Sequence, residues 1–126
     1  MGLDITFFAV KDTEWDEIGY FGKVNFILNY FDINDENNAT NITISKDQFE
    51  KFVTDLRCEL VQHRQHYKCF DEPINPKLRT KEVSFGGSTT YDPRYWENAL
   101  YVYKWANKLL NEFNWEEYSF VINAWW

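Results

Sequence analysis

A chain of 126 residues with 44% apolar composition is long enough to close one hydrophobic core and too apolar to remain disordered, so residues 1–126 read as a single domain. Its formal charge of −7 disfavours general nucleic-acid binding, which is driven by neutralising phosphates, and no apolar run approaches the ~20 residues of a membrane span. Eleven Phe, eight Tyr and six Trp are many rings for so small an interior, which places some of them at the surface or at an interface.

The opening Met1-Gly2-Leu3-Asp4 lacks the basic start and apolar run of a secretory signal, so an intracellular chain with reduced Cys58 and Cys69 is expected. Leu3, Ile5 and Phe7 alternate with Asp4, Thr6 and Phe8, the period of a strand with one apolar face. Lys11 to Gly19 reads as an acidic surface connector in which Asp12, Glu14, Asp16 and Glu17 surround Trp15. Tyr20 to Phe31 reads as a first helix, with Phe21, Val24, Ile27, Leu28 and Phe31 on one side and Phe26 and Tyr30 on another. Asp32 to Asn41 is a polar loop.

Ser45-Lys46-Asp47-Gln48 has the spacing of a capping box. It opens a second helix whose stripe is Phe49, Phe52, Val53, Leu56 and Leu60, with Cys58 about 180° from Phe49 on an ideal wheel. That helix fades around His63 to Tyr67, and Asp71 to Lys81, with Pro73 and Pro76, is irregular. Val83 to Phe85 is a short strand candidate before the Gly86-Gly87 turn. Asp92 and Pro93 are the N-cap and first residue of a third helix. Tyr95, Ala99, Val102, Ala106, Leu109, Leu110 and Phe113 share its core face, leaving Tyr101 and Trp105 well off it. Glu117 to Trp126 ends the chain as a strand. The outline is an α+β domain: a small sheet that includes the two terminal strands, covered on one face by three amphipathic helices.

Three blocks carry a resemblance to a known family: Met1-Gly2-Leu3-Asp4-Ile5, Ile18-Gly19-Tyr20-Phe21-Gly22-Lys23-Val24-Asn25, and Phe85-Gly86-Gly87-Ser88-Thr89-Thr90-Tyr91-Asp92. With the ending Trp115 to Trp126, they resemble, over most of the chain, a family of small proteins encoded by bacteriophages and prophages. The chain departs from that family at Phe21-Gly22, where an aromatic-Arg pair is usual, and in a short first loop. The resemblance implies a phage origin and no catalytic residue. Small acidic phage proteins often antagonise host machinery or host defence, anti-CRISPR proteins among them. By that analogy the expected partner is a host protein or nucleoprotein complex in the host cytoplasm.

Candidate chemistry is sparse. Cys58, His63, His66 and Cys69 are the only cysteines and histidines, and thiolate and imidazole suit zinc, but C-x4-H-x2-H-x2-C is not a finger spacing. On one helix Cys58 and Cys69 would stand about 16 Å apart. Ordinary thiols and histidines on a fading helix are the simpler expectation, and a metal-dependent enzyme there is an alternative. Gly86-Gly87-Ser88-Thr89 lacks the Lys of a P-loop, and Asp92 would repel an anion at that helix start. No cofactor is implied.

Partner binding is better supported. Tyr101, Trp105, Phe26, Tyr30 and Trp125 are the candidate aromatic anchors, and Glu14, Asp16 and Glu17 the candidate acids. The leading expectation is therefore an inhibitor of a host protein acting through an acidic and aromatic surface. A phage assembly protein acting by self-association is the second expectation, since such a patch also serves a homodimer. Charge is uneven: residues 1–56 carry −7, 57–81 carry +3 and 82–126 carry −3.

Overall fold

The computed structural model describes residues 2–126. Four antiparallel strands and three helices make an α+β fold. The strands are β1 (Asp4–Lys11), β2 (Glu14–Gly22), β3 (Asn41–Ile44) and β4 (Ser119–Trp125), ordered β2-β1-β4-β3 in one sheet. The helices are α1 (Phe26–Tyr30), α2 (Lys46–His66) and α3 (Pro93–Glu112). The two terminal strands are neighbours, Ile5 opposite Ala124 and Phe7 opposite Ile122.

Strand alternation sends Ile5 and Phe7 of β1, Leu3 just before it, and Phe120, Ile122 and Ala124 of β4 into the core. Phe49, Phe52, Val53 and Leu56 of α2 meet them, together with Tyr95, Trp96, Ala99, Val102 and Ala106 of α3. The caps are local and form as the sequence predicts. Ser45 Oγ accepts from Gln48 N at 3.1 Å while Gln48 Oε1 accepts from Ser45 N at 2.8 Å. Asp92 Oδ1 accepts from Tyr95 N at 3.0 Å, with Pro93 in the first turn.

Four expectations are corrected. Lys11 to Gly19 is not a loop: Asp12, at φ 54°, turns a hairpin that makes Glu14–Gly22 an edge strand. The first helix shrinks to Phe26–Tyr30, because Tyr20, Phe21 and Gly22 pair with β1 and Lys23, at φ 62°, breaks any helical continuation. Asn41, the last residue of the expected polar loop, instead opens β3, and Asn41–Ile44 pair with β4. Val83 to Phe85 is a turn closed by Gly86 N donating to Val83 O at 2.9 Å, and its one sheet-like bond runs from Leu3 N to Phe85 O at 3.1 Å. Gly87 lies at φ 90°, where a Cβ would stand 2.8 Å from Lys23 Cβ, so both conformation and space require glycine.

The irregular segment between α2 and α3 is fastened by side chains. Buried Glu59 accepts from Ile74 N at 3.1 Å and Asn75 N at 2.7 Å. The Asn29 amide donates to Pro76 O at 2.9 Å and Arg79 O at 3.1 Å. Buried Asn25 donates to Gly86 O and Ser88 O and accepts from Lys81 N. These bonds replace the ladder that a strand or helix would have supplied.

Candidate surface for partner binding

All three helices lie against one face of the sheet, so the other face is left open. Its residues follow from the register. β1 presents Asp4, Thr6, Phe8 and Val10. Opposite them β2 presents Trp15, Glu17 and Tyr20, and β4 presents Val121, Asn123 and Trp125. Trp15 is 47% exposed, Tyr20 52% and Trp125 64%. Two acids and no Lys or Arg occupy these positions.

The face is ordered by contacts within it. Phe8 and Trp15 meet edge to face at 5.5 Å, and Val121, directly opposite Phe8, is buried although it lies outside the main core. The Tyr20 hydroxyl donates to the Asp4 carboxylate. That bond, with some desolvation and the nearby negative charge of Asp4 and Glu17, holds the Tyr20 phenol above its ordinary range. Asp4 is in turn the register partner of Trp125, so Tyr20, Asp4 and Trp125 span three adjacent strands. Asn123 Nδ2 donates to Asn41 Oδ1 at 2.7 Å, tying the face to β3.

Of the anchors expected from sequence, Trp125 and Glu17 share this face, on the strands either side of β1. Glu14 and Asp16 are exposed on the same edge strand but alternate to its other side. Tyr101 is exposed on α3, its ring edge to face with Phe21 at 5.8 Å, beside β2 and away from the open face. Trp105, Phe26 and Tyr30 are corrections. Trp105 is half-buried, packs on Phe7 at 4.8 Å and Phe21 at 4.9 Å, and donates from Nε1 to Ile18 O at 2.9 Å. A Cβ on Gly19 would stand 2.4 Å from its ring, so the bare backbone of β2 is what admits the indole. Phe26 is 2% exposed and packs on Tyr95 at 5.5 Å. Tyr30 is 4% exposed, packs on Phe52 at 4.8 Å and donates to Asp55 Oδ2 at 2.8 Å. Short α1 is wedged into the core and so buries rings that a free-standing amphipathic helix would leave outside.

Trp15 and Tyr20 are absent from the expected site because the sequence reads Lys11 to Gly19 as a loop and Tyr20 as the start of a helix, and an irregularity in β2 hides their common face. The β1–β2 register shifts between Phe7 and Phe8, inserting a residue at Ile18. Trp15 and Glu17 are thus on the open face with Tyr20, although 15, 17 and 20 share no period of two. The Lys11-Asp12-Thr13-Glu14 turn was the available signal for a hairpin.

The remaining candidates do not assemble. Cys58, Cys69 and His66 are exposed, while His63 stacks on Trp96 at 3.8 Å with 13° between the rings. Among the described residues no group of three or more His, Cys, Asp or Glu is placed to hold a metal ion. The Gly86–Thr90 turn closes on itself: Ser88 Oγ accepts from Thr90 N at 3.1 Å, and Asp92 caps α3. Among the described residues no helix is long and apolar enough to cross a membrane. Comparison of the chain with models of protein families, with curated proteins and with solved structures found no match.

Proposed function

We propose that the chain is a phage-encoded protein that binds and inhibits a host protein, with host-defence complexes as the leading class of target. The observation that carries this reading is that exposed Trp15, Tyr20 and Trp125 share one uncovered sheet face, spread over three strands, that also bears Asp4 and Glu17 and no base. Large rings held by strands on a flat surface provide apolar contact area at low entropic cost, and Tyr and Trp dominate binding energy at interfaces. The acids steer the face toward a basic partner, such as a protein whose own groove is built for nucleic acid. The resemblance to phage and prophage proteins supports the origin.

The test is affinity capture from host lysate with the intact chain as bait, followed by direct binding to the recovered protein. Trp15→Ala and Trp125→Ala are each expected to weaken binding about ten-fold or more, as truncation of an aromatic anchor does. Thermal stability should change little, because both side chains lie outside the core. Failure to recover any specific partner, or full binding by the double variant, would overturn the assignment. Trp105→Ala is unsuitable here, since it removes a ring packed against Phe7 and Phe21.

A further inference from the structure

A second exposed surface lies on the far side of the molecule from the open sheet face. α2 and α3 run antiparallel, as the His63–Trp96 stack and the Phe49–Trp105 contact show by joining opposite ends of the two helices. Between them is an apolar groove of about 750 Å³. Trp96 and Leu60 form its floor, and Val61 and Leu100, both exposed, stand at its walls. Exposed Arg57 and Arg64 flank it on α2, and exposed Glu97 flanks it on α3. Among the described residues the ion pairs are Lys11–Glu117 and Arg79–Glu72, so neither arginine nor Glu97 is paired within the chain.

We infer that this groove is the interface of a two-fold homodimer, its occupant a second copy of the same α2–α3 face. The charge pattern carries the inference. Bases on one helix, an acid on its antiparallel neighbour and exposed apolar side chains between them make a self-complementary surface. A two-fold axis running along the helix pair lays α2 of one copy over α3 of the other. Because His63 stacks on Trp96, Arg64 and Glu97 lie near one level, so Arg64 of each copy meets Glu97 of the other. The same operation brings Val61 toward Leu100 of the second copy, covering side chains that are otherwise in water. The arrangement leaves both open sheet faces outward, so one dimer offers two copies of the partner surface.

Sedimentation velocity across a concentration series tests the inference. The wild-type chain is expected to dimerise by high micromolar concentration, and Leu100→Glu to remain monomeric. Arg64→Glu should weaken association about ten-fold by setting two acids face to face, and Arg64→Glu with Glu97→Arg should recover most of it, the signature of a direct pair across the axis. Far-ultraviolet circular dichroism checks that each variant is folded. Trp15→Ala with Trp125→Ala should dimerise normally, which separates this result from the fate of the host-partner reading. A wild-type monomer at high micromolar concentration would overturn the inference and leave the groove to an acidic, apolar segment of another protein. A dimer that persists in Leu100→Glu, or a reversed pair that fails to recover, would overturn it equally.

Discussion

The two faces of the sheet are made by the same strands and differ in what covers them. On the helix side, Phe7 packs on Phe21, Trp105 and Phe120, and Phe49 on Phe52, Trp105, Trp115 and Phe120, with ring centroids 4.6 to 6.1 Å apart. On the open side, Trp15 has Phe8 as its aromatic neighbour, and Trp125 has none among the described ring pairs. Aromatic content by itself therefore does not separate core from site. Rings serve stability where a second layer completes their packing, and they are available for binding where the layer is missing.

Substitutions on the two sides should separate sharply. The largest effect is expected from Phe49→Ala, which empties a site walled by four rings and should cost about 3–5 kcal/mol in denaturant unfolding. Glu59→Ala is expected next, at about 1–3 kcal/mol, because it leaves the amides of Ile74 and Asn75 without their acceptor. Raised protease sensitivity between residues 70 and 80 would locate that damage in the fastened loop.

Alkaline pH probes the covered side through its phenols. Burial, then the bond to Asp55, raises the Tyr30 hydroxyl far above its ordinary range. Burial, then the neighbouring Tyr91 and Glu59, does the same for Tyr95. Both phenols stay protonated in the folded chain at a pH where unfolded tyrosines ionise. Their contribution is complete below the unfolded value of 10.0 and is lost as pH rises beyond it, by about 1.4 kcal/mol per pH unit for each such phenol. Unfolding followed from pH 9 to 11.5 should show this decline, and Tyr30→Phe should make it shallower. The smallest stability effect belongs to the open side: Trp125→Ala should shift unfolding by less than about 0.5 kcal/mol, as exposed substitutions do. A larger loss would mean that the open face is part of the core's support.

How much could be read in advance depended on the range of the interaction. The Ser45–Gln48 box, the Asp92-Pro93 start and the stripes of α2 and α3 are decided by residues three or four apart, and all stand where the sequence predicts them. The strand periods of β1 and β4 were equally visible, and two apolar terminal strands are natural neighbours. Of the candidate surface, Trp125 and the acids of β2 were legible as residues, but not as members of one face or of its opposite.

The remainder was decided by contacts between distant segments. Whether Glu14–Gly22 is a loop or a strand depends on β1 being there to pair with it. Which side Tyr20 faces depends on a single inserted residue at Ile18, which no alternation within β2 records. Phe26, Tyr30 and Trp105 each looked surplus on a helical wheel. Each is held inside by a partner far along the chain: Tyr95 for Phe26, Phe52 and Asp55 for Tyr30, and the bare backbone of Gly19 for Trp105. Composition determined that this chain has rings for both a core and a surface, and local periodicity determined its two long helices. Only the tertiary structure decided which rings are which, because a ring is buried by what packs over it and not by its own sequence neighbours.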